Sequence, residues 1–401
     1  MHPLPLHHRE ELTVESADRQ IPFHRASVGE DEVQAVSEVI RSGWLTMGPK
    51  TVEFEAAFAR YVRAEHAIAV SSCTAALHLA LEAVGVGAGD EVLVPTNTFT
   101  ATAEVVTYLG AKPVLVDVDP LTLNLDAADA VRCLTSRTRA IIPVHFAGQP
   151  SDMTKISEVA DTHGLHVIED AAHALPASHR GSRVGSLSVL TAFSFYATKP
   201  MTTGEGGMVT TGNADYAERM RIMRLHGIGR DAWKRYSAEG SWRYEVVAAG
   251  FKYNMTDIQA ALGLVQLGKC DAMYRQRARI AARYTSSFQQ IEALEPPAAL
   301  EYVDPSWHLY VLRLHLDRLK MNRSDFIDEL RRRGVGTSVH FIPLHLHPYY
   351  QSSFGYRVGD CPVAEREYQR CVSLPIYPDM TDEDVQRVIE VVAEVCELYR
   401  V

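Results

Sequence analysis

Ala192-Phe-Ser-Phe-Tyr-Ala-Thr-Lys199-Pro-Met-Thr-Thr-Gly-Glu-Gly-Gly207 sets a lysine in a turn just beyond an apolar run. Val189 to Phe195 reads as a buried strand, and the glycines after Lys199 let the backbone turn tightly before a second short strand, Gly207 to Thr211. A lysine so placed can act as a nucleophile, although a lone lysine in a loop is more often a solvated surface charge. Working outward, apolar strands are predicted near residues 67–70, 91–95, 113–118, 139–144, 166–170, 189–195 and 207–211, with helical patterns between most of them. Strands separated by helices pair in parallel, so the fold class is α/β with a large, mostly parallel seven-stranded sheet.

Two further runs sharpen the reading of Lys199. Val167-Ile-Glu-Asp170-Ala-Ala-His173 is a strand that delivers an acid at its carboxyl end, where ligands bind in an open α/β sheet. An aspartate there can keep a pyridine nitrogen protonated, the partner that a pyridoxal phosphate (PLP) ring needs to act as an electron sink; the plainer alternative is a helix cap. Ser71-Ser-Cys-Thr74-Ala-Ala-Leu77 follows a short strand and opens a helix with small residues. The free N–H groups of such a helix start, with its dipole, suit a phosphate dianion, and Ser71 or Ser72 as a simple N-cap is the bland alternative.

Composition bounds the rest. The chain has 401 residues, is 46% apolar, and carries a formal charge of −10, which disfavours nucleic acid or an anionic membrane as a partner. The opening residues carry no apolar core of signal-peptide length and no stretch is long enough to span a bilayer, so a cytoplasmic location is expected. The six cysteines are scattered without a Cys-x-x-Cys pair and are expected to be free thiols. Gly85-Val-Gly87-Ala-Gly89 follows a helix and precedes a strand, the reverse of the order a dinucleotide fingerprint needs. His340, His345 and His347 have no carboxylate among them, so no metal is expected there.

After about residue 214 the pattern turns helical, with Tyr216 to Leu225, Asp257 to Leu267 and Cys270 to about Phe288. A smaller αβ unit follows, with strands predicted over Trp307 to Leu316 and Gly336 to Phe341 and helices over Arg323 to Arg333 and Asp382 to Leu398. The predicted organisation is a polar extension over 1–20, a large domain over 21–270 and a small C-terminal domain over 271–401.

Four stretches carry a family resemblance: Ser42-Gly-Trp44-Leu-Thr-Met-Gly48-Pro-Lys50, Gly250-Phe-Lys-Tyr-Asn254-Met-Thr-Asp257, Gly334-Val-Gly-Thr-Ser-Val-His340-Phe, and Ser373-Leu-Pro-Ile-Tyr-Pro-Asp379. With Glu169-Asp-Ala-Ala-His173, they make the chain resemble the DegT/DnrJ/StrS group of PLP-dependent nucleotide-sugar aminotransferases, from about Ile21 to the C-terminus. The motifs look closest to the branch that makes UDP-4-amino-4-deoxy-L-arabinose. The resemblance implies the aspartate-aminotransferase fold (PLP fold type I), Lys199 as the Schiff-base lysine and Asp170 as the partner of the pyridine nitrogen. It further implies Thr74 and Ala75 as a backbone phosphate-binding pair, Ser194 as a phosphate-binding hydroxyl, Phe99 as the ring-stacking aromatic, and His173 near the phenolic oxygen. Asn254 matches a residue that reaches the phosphate from the neighbouring subunit, which implies a homodimer with shared sites.

Trp44, Thr46, Lys50, Arg230 and His340 match positions facing the substrate, and the loop Gly227 to Trp233 is placed over the sugar. The implied reaction moves an amino group from L-glutamate to a keto group, at C4, of a nucleotide-linked keto-deoxysugar. C3-keto-sugar or cyclitol amination, a dehydratase on the same fold, and a non-catalytic regulator that binds PLP or sugar stay open as alternatives. Relatives that dehydrate carry His in place of the lysine, whereas this chain has Lys199. Phe99 and Cys73 depart from the residues usual at their positions.

Overall fold

A computed structural model of the chain describes residues 20–229 and 244–401. Seven strands form the main sheet: β1 (His66–Val70), β2 (Glu91–Pro95), β3 (Lys112–Val116), β4 (Thr138–Ile141), β5 (His166–Asp170), β8 (Leu190–Ser194) and β9 (Gly207–Thr211), with the short β6 (Ser178–His179) and β7 (Ser182–Arg183) lying outside it. Their spatial order is β1-β9-β8-β5-β4-β2-β3. Only β9 runs antiparallel to its neighbours, because the tight turn after Lys199 folds it straight back along β8. β2 and β8 are buried along their whole length, as strands covered by helices on both faces must be.

The register aligns the site. Val70 and Ser194 both pair with Gly207, and Asp170 pairs with Ala192, so the carboxyl ends of β1, β8 and β5 finish along one edge. Gly207 is required by close approach: a Cβ there would lie 2.5 Å from the carbonyl carbon and oxygen of Ser72. The helix Cys73–Ala83, buried from Ala75 to Leu81, is therefore pressed with its N-terminus against the start of β9.

A second core lies toward the C-terminus, where a three-stranded sheet of β10 (Leu294–Glu295), β12 (Tyr310–Leu314) and β13 (Cys371–Leu374) packs against the helices Arg323–Arg332 and Asp382–Leu398. The remaining short strand, β11 (Val303–Asp304), pairs with β6. Ile21 joins this second core, so the described N-terminal segment crosses to the C-terminal lobe.

Three sequence expectations need correction. The two helices expected at 257–267 and 270–288 are one helix, Asp257–Phe288. Gly268, between the two expected helices, costs a helix only about 1 kcal/mol, and the burial of residues on either side outweighs that. Cys270 and Met273 pack in the sheet-side core while Ile280 and Tyr284 pack in the C-terminal core, so one helix serves both cores.

The strand expected at 336–341 forms one isolated bridge, at Ser338, with another just before it at Val335, because His340 and Phe341 turn into a cavity instead of pairing. The strand expected from Trp307 begins only at Tyr310; Ser306 and Leu309 hydrogen-bond to the carbonyls of Gly148 and Ala147. No helix among the described residues is long and apolar enough to cross a membrane.

Candidate active site

One cavity of about 440 Å³ opens at the carboxyl edge of the main sheet. Its sheet-side wall carries Thr74, Thr102, Asp170, Ser194 and Lys199, and the facing residues His308, His340, Phe341 and Ile376 come from the C-terminal lobe. Lys199, Asp170 and Thr74, far apart in sequence, therefore meet in one place.

Asp170 is buried, with Oδ2 accepting from Thr102 Oγ1 at 2.8 Å and Oδ1 from the Ala172 N–H at 3.1 Å. Burial pushes its acidity toward the neutral form; those hydrogen bonds and the charge of Lys199 offset this only in part, leaving the carboxyl above its usual range. Such a carboxylate is best stabilised by a cationic N–H brought against it.

The strand carrying Asp170 is braced from its other face. Glu169 is fully buried and accepts from His145 Nε2 at 2.7 Å, Ser188 Oγ at 2.6 Å and Thr191 Oγ1 at 2.9 Å. Burial alone would raise Glu169, yet the hydrogen bonds from His145, Ser188 and Thr191 hold it below the usual carboxylate range. His145 Nδ1 accepts the Ser151 N–H at 3.1 Å, which leaves the ring proton on Nε2 for Glu169, and the His145 N–H donates to the Asp170 carbonyl at 3.0 Å.

Lys199 is partly buried, with its N–H on the Tyr196 carbonyl at 2.9 Å. Burial lowers its basicity, and the attraction of Asp170 and Cys73 does not restore it. More of the amine is therefore neutral near neutral pH than for a free lysine, as a nucleophile or base requires.

At the start of the helix Cys73–Ala83, Ser72 is the N-cap and accepts the Ala75 N–H at 3.1 Å. Ala75 does not line the cavity and its N–H is engaged; the first-turn N–H groups of Cys73 and Thr74 have no intrahelical acceptor and face the anion-favouring end of the helix dipole. Ser194 lines the cavity, its Oγ accepting the Tyr196 N–H at 3.3 Å. Phe99, 62% exposed, stands at the mouth with its ring 6.3 Å from that of Phe341. His173 is buried against Phe341, the rings stacked at 6.0 Å, and its Nδ1 has no partner. His340 binds Ser373 Oγ through Nδ1 at 2.8 Å; burial, then the charge of Lys199, lowers its pKa to about 4.

Other expected residues lie elsewhere. Within one chain Asn254 does not line the cavity; it bridges to Val70 and accepts a hydrogen bond from Lys252 Nζ. Trp44, Thr46 and Lys50 also lie off the cavity, at the start of the helix Pro49–Val62. The reason is Asp257, a buried carboxylate that takes the N–H groups of Gly48, Lys50 and Thr51 and the Thr51 hydroxyl at 2.7–3.0 Å, tying this turn to the long helix. Asp257→Ala should cost about 2 kcal/mol of stability, read as a lower denaturant midpoint, since it removes a cap and leaves buried donors unpaired; an unchanged midpoint would refute the capping role. Arg230 and the rest of its loop to Trp233 lie outside the described residues.

Residues 26–393 match the DegT/DnrJ/EryC1/StrS aminotransferase family. The chain belongs to that family. It is 48% identical over 383 residues to the spore coat polysaccharide biosynthesis protein SpsC of Bacillus subtilis, covering 95% of this chain and 98% of that one. It is 51% identical over 375 residues to the uncharacterized protein MJ1066 of Methanocaldococcus jannaschii, covering 94% and 97%. Among solved structures, the PLP form of the putative sugar aminotransferase Spr1654 from Streptococcus pneumoniae superposes with a TM-score of 0.89 at 34% identity, covering 94% of this chain and 99% of that one. Like its family, the chain has the fold of a type I PLP aminotransferase.

Sequence reading missed Thr102, Phe341 and His308 as members of the site. A threonine in the first turn of the helix Ala101–Tyr108 and a histidine before a strand carry no signal of their own.

Proposed function

We propose that this sugar aminotransferase moves an amino group from L-glutamate to a keto group, at C4, of a nucleotide-linked keto-deoxysugar, and that it works as a homodimer. The observation that carries the reading is the meeting, in one cavity, of a lysine of lowered basicity, a desolvated aspartate and the free N–H groups of a helix start. The cofactor is pyridoxal phosphate, and the cavity fits it: the buried Asp170 accepts only from neutral donors in its hydrogen bonds, and the buried Nδ1 of His173 lacks a partner.

The N–H groups of Cys73 and Thr74 with Ser194 Oγ would hold the phosphate, Asp170 the ring nitrogen, His173 the phenolic oxygen and Lys199 the aldehyde. When bound, the cofactor supplies an electron sink and carries the amino group between the two substrates. Lys199 Nζ, neutral by desolvation, is the base that takes a proton from the amino donor's carbon and returns one later. Asp170, fixed by Thr102 and by the braced β5, keeps the proton on the ring nitrogen.

Incubating the purified protein with glutamate and a panel of UDP- and dTDP-linked keto sugars tests this. The absorbance of the bound cofactor should bleach with glutamate alone and return with one sugar, the new amine appearing at C4 by NMR. Loss of water from the sugar without amination would refute the reading.

The dimer has its own test. Asn254 lies off its own chain's cavity, and Phe99 and Tyr196 beside that cavity are exposed, as residues covered by a second subunit would be. Subunits carrying Lys199→Ala, inactive alone, mixed with subunits carrying Asn254→Ala, weakened in cofactor retention, should regain about a quarter of wild-type activity through the one intact composite site in each mixed dimer. No gain on mixing would refute shared sites.

A further inference from the structure

Both His173 and His308 are buried, line the cavity and stand with ring centroids 4.4 Å apart, yet neither ring makes a hydrogen bond and both Nδ1 atoms are without partners. The core histidines His145 and His345 have both ring nitrogens engaged, and buried His78 and His179, which each leave Nε2 without a partner, lie away from the cavity. The proposed cofactor contacts account for His173 but leave His308 unexplained.

His308 is held in place with unusual care. It follows Trp307, a bulky residue at φ +54, and its loop docks on Ala147, a second non-glycine residue with positive φ (+57). Ser306 N–H donates to the Gly148 carbonyl, Leu309 N–H to that of Ala147, and Ser306 Oγ to that of His173 at 2.5 Å. A Cβ on Gly148 would lie 2.0 Å from Ser306 Oγ and 3.1 Å from the His308 nitrogen, so the two loops touch backbone to backbone. Sparsely populated backbone conformations on both sides of one imidazole point to a site, since packing alone does not call for them.

The two walls of the cavity indicate what His308 meets. The groups suited to the cofactor, Thr74, Ser194, Asp170 and Lys199, all rise from the main sheet, whereas His308 and His340 reach the cavity from the C-terminal lobe. Among the described residues no arginine and no lysine other than Lys199 lines the cavity, so the wall that carries His308 offers a ligand neutral polar groups. The groups facing His308 are His173, His340, Lys199 and Arg277; burial first, then the charge of these neighbours, keeps it well below the usual histidine range. It is thus a neutral imidazole, one donor and one acceptor, the complement of a hydroxyl group.

We propose that His308 contacts the substrate, hydrogen-bonding a hydroxyl or keto oxygen of the acceptor sugar from the C-terminal wall of the cavity. This rests on the function proposed above. The test uses the holoenzyme and its His308→Leu and His308→Asn variants, with the two half-reactions followed separately by cofactor absorbance. Bleaching by glutamate should stay within about twofold of wild type in both variants. With the keto sugar that restores absorbance in wild type, His308→Leu should lose roughly tenfold to a hundredfold in kcat/KM, and His308→Asn, which keeps a donor and an acceptor, should recover part of that.

In ¹⁵N-histidine-labelled protein, the imidazole signal absent from His308→Leu should shift when the aminated sugar nucleotide is added. Equal kcat/KM for the sugar in both variants, or a loss confined to the glutamate half-reaction, would overturn the assignment. If His308→Leu does not fold, His308→Asn and the labelled spectrum decide it. If wild type bleaches with glutamate but no sugar of the panel restores the absorbance, the functional reading fails first and takes this assignment with it.

Discussion

Lys199→Ala abolishes turnover, lowering it roughly 10³-fold or more, and removes the long-wavelength absorbance of lysine-linked pyridoxal phosphate. The expectation follows from where the amine sits. Burial depresses its basicity, so the same group can bond an aldehyde and move a proton near neutral pH, and no other lysine or arginine among the described residues lines the cavity. Cofactor still binds to the variant, because the N–H groups at the start of the helix Cys73–Ala83 and Ser194 are untouched. Absorbance spectra and steady-state assays separate the two effects; a variant with undiminished turnover would remove Lys199 from the chemistry.

Asp170→Asn should cost about a hundredfold in rate while leaving much of the cofactor bound. The substitution keeps the size and the contacts to Thr102 and Ala172 but gives up the negative charge that holds a proton on the ring nitrogen. The sign with pH follows from the raised pKa of Asp170 before the cofactor binds: charge on this carboxyl is lost as pH falls through that raised value, so the affinity of wild type for the cofactor should decline on the acid side at higher pH than for an ordinary aspartate. In Asp170→Asn that acid limb should vanish from the pH profile of affinity. Full activity in the variant, or an acid limb that persists, would count against the pyridinium role.

The sequence made the sheet and its two chemical residues readable because each rests on a local signal. Apolar runs bounded by glycine or polar turns mark β1 to β5, β8 and β9, and an acid or a lysine just past such a run lies at a strand's carboxyl end. The rest depends on contacts between distant segments. Asp257 reads locally as the first residue of a helix, yet its carboxylate caps another helix more than two hundred residues earlier in the chain, and this draws Trp44 and Lys50 away from the cavity of their own chain. β13 is four residues ending at a proline and acquires its identity only by pairing with β12. The bracing of β5 by His145, Ser188 and Thr191, with Ser151 orienting His145, is likewise invisible in one dimension, since the first three are ordinary polar residues until Glu169 collects them.

Covalent attachment can be read directly. Reducing the holoenzyme with borohydride fixes any lysine–cofactor link, and peptide mass spectrometry then locates it. A pyridoxyl group on Lys199, lost in Lys199→Ala and retained in Asp170→Asn, is the anticipated finding; a label on a different lysine, or none on a catalytically competent preparation, would show that the site works in another way.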